Sequence, residues 1–161
     1  MQILVLYFSK GGNTKQLAEY IAEGAKQAKG AEVLVRSTQE VVQSEFEASD
    51  GVIIGSPVYF GVMAAEIKKV LDDFIGSRKK MEGKVGATFA TSGDPTGGKE
   101  TTMISIIQAL MIYGMIIVGD PLSATGHFGT ACAGAPDEKT AENGRKLGKR
   151  VAETAKKLKQ D

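Results

Sequence analysis

Apolar and polar residues follow two rhythms along this chain. Gln2 to Phe8 is a short, nearly continuous apolar run with β-branched and aromatic members, the pattern of a strand covered on both faces. Four more such runs follow, at Glu32 to Arg36, Gly51 to Gly55, Val85 to Thr91 and Met115 to Gly119. Between them the apolar positions recur at helical spacing. Asn13 to Lys29 places Leu17, Ile21 and Ala25 on one face, and Ala64 to Ile75 does the same with Ile67, Leu71 and Phe74. Lys99 to Tyr113 and Asp137 to Leu158 are further helical segments, and Thr38 to Ala48 is a less regular one. Strands alternating with helices predict an α/β fold, a parallel sheet with right-handed crossovers and helices on both faces.

In such a sheet a ligand sits at the carboxyl ends of the strands, near the point where the winding reverses. The loops after strands one, three and four are Ser9 to Thr14, Ser56 to Gly61 and Thr91 to Gly98, rich in Gly, Ser, Thr, Pro or aromatic residues. They are expected to converge on one crevice.

The first loop meets the start of a helix, where backbone amides lack partners and the macrodipole is positive. Gly11 and Gly12 remove side-chain bulk there, Ser9, Asn13 and Thr14 add polar donors, and Lys10 carries a charge. The pattern suits a phosphate, and equally a glycine turn with an Asn or Thr helix cap. It is not a dinucleotide fingerprint, because Gly-x-Gly-x-x-Gly is absent and the second strand ends Val35-Arg36-Ser37 without an acid. Nor does it suit a phospho-acceptor carboxylate site, since strands one and three end at Ser9 and Ser56.

In the second loop Pro57 stops the strand, and Val58, Tyr59, Phe60 and Gly61 follow. The two aromatics either cap the core or wall a flat ring. In the third loop Thr91, Ser92, Asp94 and Thr96, set among the glycines Gly93, Gly97 and Gly98, would meet that ring from the other side. Gly93 to Glu100 nearly spells a Walker A loop, but Glu100 stands where a Ser or Thr hydroxyl should ligate magnesium, which argues against nucleotide hydrolysis. A phosphate nest, a ring wall and a polar third loop together point to flavin mononucleotide.

Composition removes several alternatives. The 161 residues fit a single domain spanning 1–161, long enough to bury about 70% of its unfolded surface. No apolar run approaches the roughly 18 residues that span a bilayer. The N-terminus lacks the basic region and cleavage site of a signal peptide, so a cytoplasmic protein is expected. A net charge of +1, with basic and acidic residues interleaved, shows no organised basic stripe for nucleic acid. One cysteine, Cys132, and one histidine, His127, do not make a disulfide or a zinc site, and no metal is expected. Both lie in a long loop, Asp120 to Pro136, expected after strand five and beside the crevice. There His127 reads as a solvated or capping residue before a catalytic one, and Cys132 as a small packing residue.

The run Gly55-Ser56-Pro57-Val58-Tyr59-Phe60-Gly61-Val62-Met63-Ala64-Ala65 resembles the flavodoxin-like NAD(P)H:quinone oxidoreductases of the WrbA type. So do Gly83 to Gly86, Phe89 to Gly93, Gly97 to Thr102 and Tyr113 to Gly119, and the likeness covers most of the chain. The resemblance implies a flavodoxin-like three-layer sandwich, a five-stranded parallel sheet in the order 2-1-3-4-5, and non-covalent FMN. It further implies two-electron reduction of a quinone by NAD(P)H through flavin N5, with no catalytic side chain required, in a homodimer or homotetramer. A flavodoxin-type one-electron carrier is the alternative. The family's long insertion between strands two and three is absent, the connection being only Ser37 to Asp50. Tyr113 stands where the family often has a histidine at the flavin or substrate, which makes it a candidate contact.

Overall fold

The computed structural model describes residues 1–160. Three central strands, β1 (Gln2–Tyr7), β3 (Gly51–Pro57) and β4 (Val85–Ser92), are buried along nearly their whole length. β2 (Glu32–Ser37) lies outside β1 and is half-buried. All ladders are parallel and the order is β2-β1-β3-β4-β5, as the resemblance implies.

Side chains leave a strand alternately to its two faces, and the sheet therefore builds two cores. Ile3, Val5, Ile53, Ala87 and Phe89 pack on one face with Leu17 and Ile21 of α1 (Asn13–Lys26) and Leu147 and Val151 of α6 (Glu138–Gln160). Leu4, Leu6, Val52 and Ile54 pack on the other. There they meet Ile67 and Leu71 of α3 (Ala65–Asp73) and Ile106 and Leu110 of α5 (Lys99–Ile112), with Phe46 of α2 (Gln43–Ala48). α1 and α6 touch backbone to backbone. A Cβ at Gly24 would lie 1.9 Å from the Arg145 carbonyl, and one at Gly148 1.9 Å from that of Ile21, which explains glycine inside helices despite its cost there.

Two expectations are corrected. The less regular segment from Thr38 forms a helix only from Gln43 on, and a short helix α4 (Arg78–Met81) follows α3 through a 3-10 turn, Ile75–Ser77. The fifth strand is also not one continuous run. β5 is only Ile116–Ile117, paired with Val85 and Gly86, and β6 (Thr130–Ala133) pairs with Phe89 to Ser92 further along the same side of β4. The expected loop Asp120 to Pro136 thus contains a strand, and residues 118–129 make an excursion between two halves of one sheet position. Its neck is tight, since a Cβ at Gly119 would strike the His127 carbonyl at 1.9 Å. Inside it the buried Asp120 carboxylate accepts the His127 N–H at 2.8 Å, the Thr125 N–H at 3.2 Å and the Thr125 hydroxyl.

Candidate functional site

Parallel β1, β3 and β4 all end on the same side of the sheet, and their loops meet there. The first loop turns through Gly12, which adopts φ 94°, a left-handed conformation that a side chain would strain. The Gly12 N–H donates to Ser9 Oγ at 3.0 Å, so Ser9 shapes the turn. No side chain caps α1, which leaves its first amides facing the loop. No atom lies within 4 Å of a Cβ built at Gly11 or Gly12. A hollow of about 260 Å³ adjoins this loop, with Lys10 and Lys15 on its wall. Free amides, an open glycine cradle and two lysines fit a phosphate monoester. Thr14 faces inward instead, its Oγ1 2.8 Å from Thr91 Oγ1 in a buried contact that ties the first loop to the end of β4.

The second loop is a tight hairpin. Tyr59 and Val62 exchange backbone hydrogen bonds of 3.2 and 3.1 Å around Phe60 and Gly61, whose φ values are 52° and 78°. Both residues are left-handed, as a two-residue turn of the primed kind demands. Glycine suits that geometry; phenylalanine adopts it at a cost of about 1–2 kcal/mol. The Phe60 ring is fully exposed, and Tyr59 meets Phe8 edge to face with centroids 6.3 Å apart. Ser56 Oγ accepts the Ala64 N–H at 2.8 Å and donates to the Pro57 carbonyl at 2.7 Å, and Ser105 Oγ accepts the Met63 N–H at 3.0 Å. These two serines brace the hairpin from below. Ser56 lay within the expected loop, whereas Ser105 sits mid-helix where nothing in its sequence spacing marks it.

The third loop is folded on itself. Asp94 Oδ1 accepts the Thr96 N–H at 2.7 Å and the Thr96 hydroxyl at 2.6 Å, and these bonds hold its carboxyl below the ordinary range. Ser92 Oγ donates to the Asp94 carbonyl at 2.7 Å. Lys99 Nζ turns back to the Pro95 carbonyl at 2.7 Å, so it closes the loop rather than reaching into a phosphate site as a Walker lysine does. Gly98 enters α5 with φ 61°, and a Cβ on it would lie 3.0 Å from both Gly61 Cα and Val58 Cγ1. The Val58 N–H donates to the Thr91 carbonyl at 2.8 Å. Loops two and three therefore touch, and loops one and three share the Thr14–Thr91 contact, which brings the three expected groups of residues together.

Other candidates fall elsewhere. Tyr113 ends α5 at the amino end of the strands, beside Gly114, whose carbonyl bonds the Gly83 N–H just before β4 begins. Its hydroxyl donates to the Leu71 carbonyl at 2.5 Å, its ring packs on Phe46, and burial pushes its pKa up to about 12. The structure thus corrects Tyr113 from a flavin contact to a core residue at the far end of the same molecule. His127 lines a separate hollow of about 440 Å³ between the third loop, the excursion and α6. Cys132 is half-buried on β6 beside Thr91, and burial pushes its thiol up to about 11, which keeps it protonated. Among the described residues no cluster of three or more His, Cys, Asp or Glu side chains could hold a metal, and no helix is long and apolar enough to cross a membrane.

The family model described as NADPH-dependent FMN reductase matches residues 36–130. The chain belongs to that family. Within it, the chain is similar to an NAD(P)H dehydrogenase (quinone) of Archaeoglobus fulgidus, 37% identical over 189 residues that cover 98% of each chain. That alignment exceeds the 161 residues here, so the archaeal protein carries segments this one lacks. A flavodoxin of Aquifex aeolicus is 35% identical over 158 residues, covering 94% of this chain and 85% of that one. Among solved structures, a WrbA-like flavodoxin from Agrobacterium tumefaciens superposes with a TM-score of 0.82 at 25% identity, over 97% of this chain and 98% of that one. The fold is flavodoxin-like, FMN is the cofactor the family implies, and relatives divide between quinone dehydrogenases and flavodoxins.

Proposed function

We propose that this chain is an FMN-dependent oxidoreductase that passes two electrons from NAD(P)H to a quinone. The observation that carries the reading is the uncapped start of α1 behind Gly11 and Gly12, set beside an aromatic hairpin and a polar loop that touch each other. In this reading Ser9, Lys10, Gly11, Gly12 and Asn13 hold the phosphate, and Thr14, whose hydroxyl is turned to Thr91, adds its backbone amide. Pro57, Val58, Tyr59, Phe60 and Gly61 flank the ring on one side, and Thr91, Ser92, Gly93, Asp94, Thr96, Gly97 and Gly98 meet it on the other. When bound, FMN supplies a redox centre that takes a hydride at N5 and returns two electrons to the acceptor. The net change moves a hydride from the nicotinamide to the quinone, with one proton drawn from solvent. The protein's part is to grip the anion with backbone amides, to exclude water with Tyr59 and Phe60, and to present the main chain of Phe60 and Gly61 to the ring edge. A strained residue such as Phe60 is a reason to look for function at that turn.

The test is direct. Purified protein loaded with FMN should show a bound-flavin spectrum and oxidise NADH or NADPH faster when a quinone is added; protein that takes up no FMN overturns the assignment. A second reading, a one-electron carrier, is favoured by the full-length match to flavodoxins and the short Ser37 to Asp50 connection. An anaerobic titration that halts at a stable one-electron stage, with negligible NAD(P)H turnover, selects the carrier.

A further inference from the structure

The outward faces of α1, α3 and α6 carry charges along their length, whereas α5 carries them only at its first two positions, Lys99 and Glu100. From Thr101 to Ile117 the sequence contains no Asp, Glu, Lys or Arg, although Ile104, Gln108, Met111 and Ile112 are exposed. A cluster of exposed apolar residues on a surface helix marks something that covers it. Between α5 and α3 runs a groove of about 730 Å³. Ser105, Gln108, Ala109 and Ile112, at spacings of three and four, form one wall along about 10 Å of α5. Small side chains make the trench, since Ala65, Ser105 and Ala109 leave its floor unfilled. Lys68, on the opposite wall, binds both Asp72 oxygens at 2.8 Å and contributes its aliphatic stem. The upper end of the groove is Tyr59 and Phe60, the aromatic pair that forms the ring wall in the functional reading above.

We infer that this groove holds the aliphatic tail of the electron acceptor, and that the preferred substrates are alkyl- or prenyl-substituted quinones rather than bare rings. The inference rests on the proposed function, because continuity with the ring wall is what selects the occupant. A planar head against the flavin would send its substituent past Phe60, over Ala109 and toward Ile112. A second copy laid flat on α5 would bridge the trench and leave its floor without contacts, losing the dispersion energy that a slender chain recovers.

The experiment uses FMN-loaded protein and a series of 1,4-benzoquinones carrying progressively longer alkyl chains. In the wild type, kcat/KM should rise roughly two- to fourfold per methylene and level off once the tail outruns the groove. Ala109→Phe, which fills the trench with an apolar ring, and Ile112→Glu, at its exposed far end, should flatten that rise, with the ratio of alkylated to unsubstituted quinone in each protein as the readout. A wild-type series with no dependence on tail length overturns the inference. So does sedimentation showing a dimer that Ile112→Glu dissociates while the series stays flat, because the groove then belongs to a second copy. If the loaded protein turns over no quinone, the functional reading fails first, and methyl NMR decides the groove. Shifts at Ala109 and Ile112 with decylquinone but not with benzoquinone keep the assignment; unmoved methyls end it.

Discussion

Thr14 and Thr91 lie far apart in the chain and share one buried hydroxyl contact of 2.8 Å. Replacing either by valine keeps the shape and strands the other hydroxyl, so Thr14→Val and Thr91→Val should each cost about 1–3 kcal/mol in denaturant unfolding. The double variant should cost less than the sum, because nothing is then left unpaired. Tyr113 supports a separate prediction. Tyr113→Phe removes the bond to the Leu71 carbonyl and should lower stability by about 1–3 kcal/mol while FMN affinity, read by flavin fluorescence, stays unchanged. A tyrosine at the flavin would show the reverse. The glycine cradle was legible in the sequence because left-handed turns and bare backbone demand glycine whatever surrounds them. Tyr113 was not, because its assignment came from a position in a family, and only packing shows that the ring ends against Phe46 beneath α3.

At the scale of elements, periodicity located the three central strands and the long helices, whose apolar faces are set by local spacing. It missed β6, since Thr130-Ala131-Cys132-Ala133 is short, built of small residues and flanked by glycines, and it pairs only because the neck at Gly119 returns the chain to β4. Asp120 holds that return in place. Asp120→Ala should leave the Thr125 and His127 amides without their acceptor, and their hydrogen exchange should quicken roughly tenfold or more while amides of β1 and β3 keep their protection. Equal acceleration throughout the sheet would assign Asp120 to global stability instead.

For the whole molecule, pH reports on a network at the opposite end from the loops. Glu47 of α2 accepts from Lys80 Nζ at 2.6 Å, Ser77 Oγ at 2.9 Å and Gln43 Nε2 at 3.0 Å, and these bonds bring its carboxyl from 4.5 down to about 2. A carboxylate depressed by folding contributes stability in full above its unfolded value and loses it as the folded form titrates. The melting temperature should therefore fall as pH drops from about 4.5 to about 2, and Glu47→Gln should make that fall shallower. The divided strand has a consequence of its own. On the outer side of β4 the chain offers two segments, of two and four residues, separated by a bulging loop. An incoming peptide finds no run long enough to zip onto, so this flank is a poor template for fibril growth, and shortening the bulge into one unbroken strand would restore the hazard.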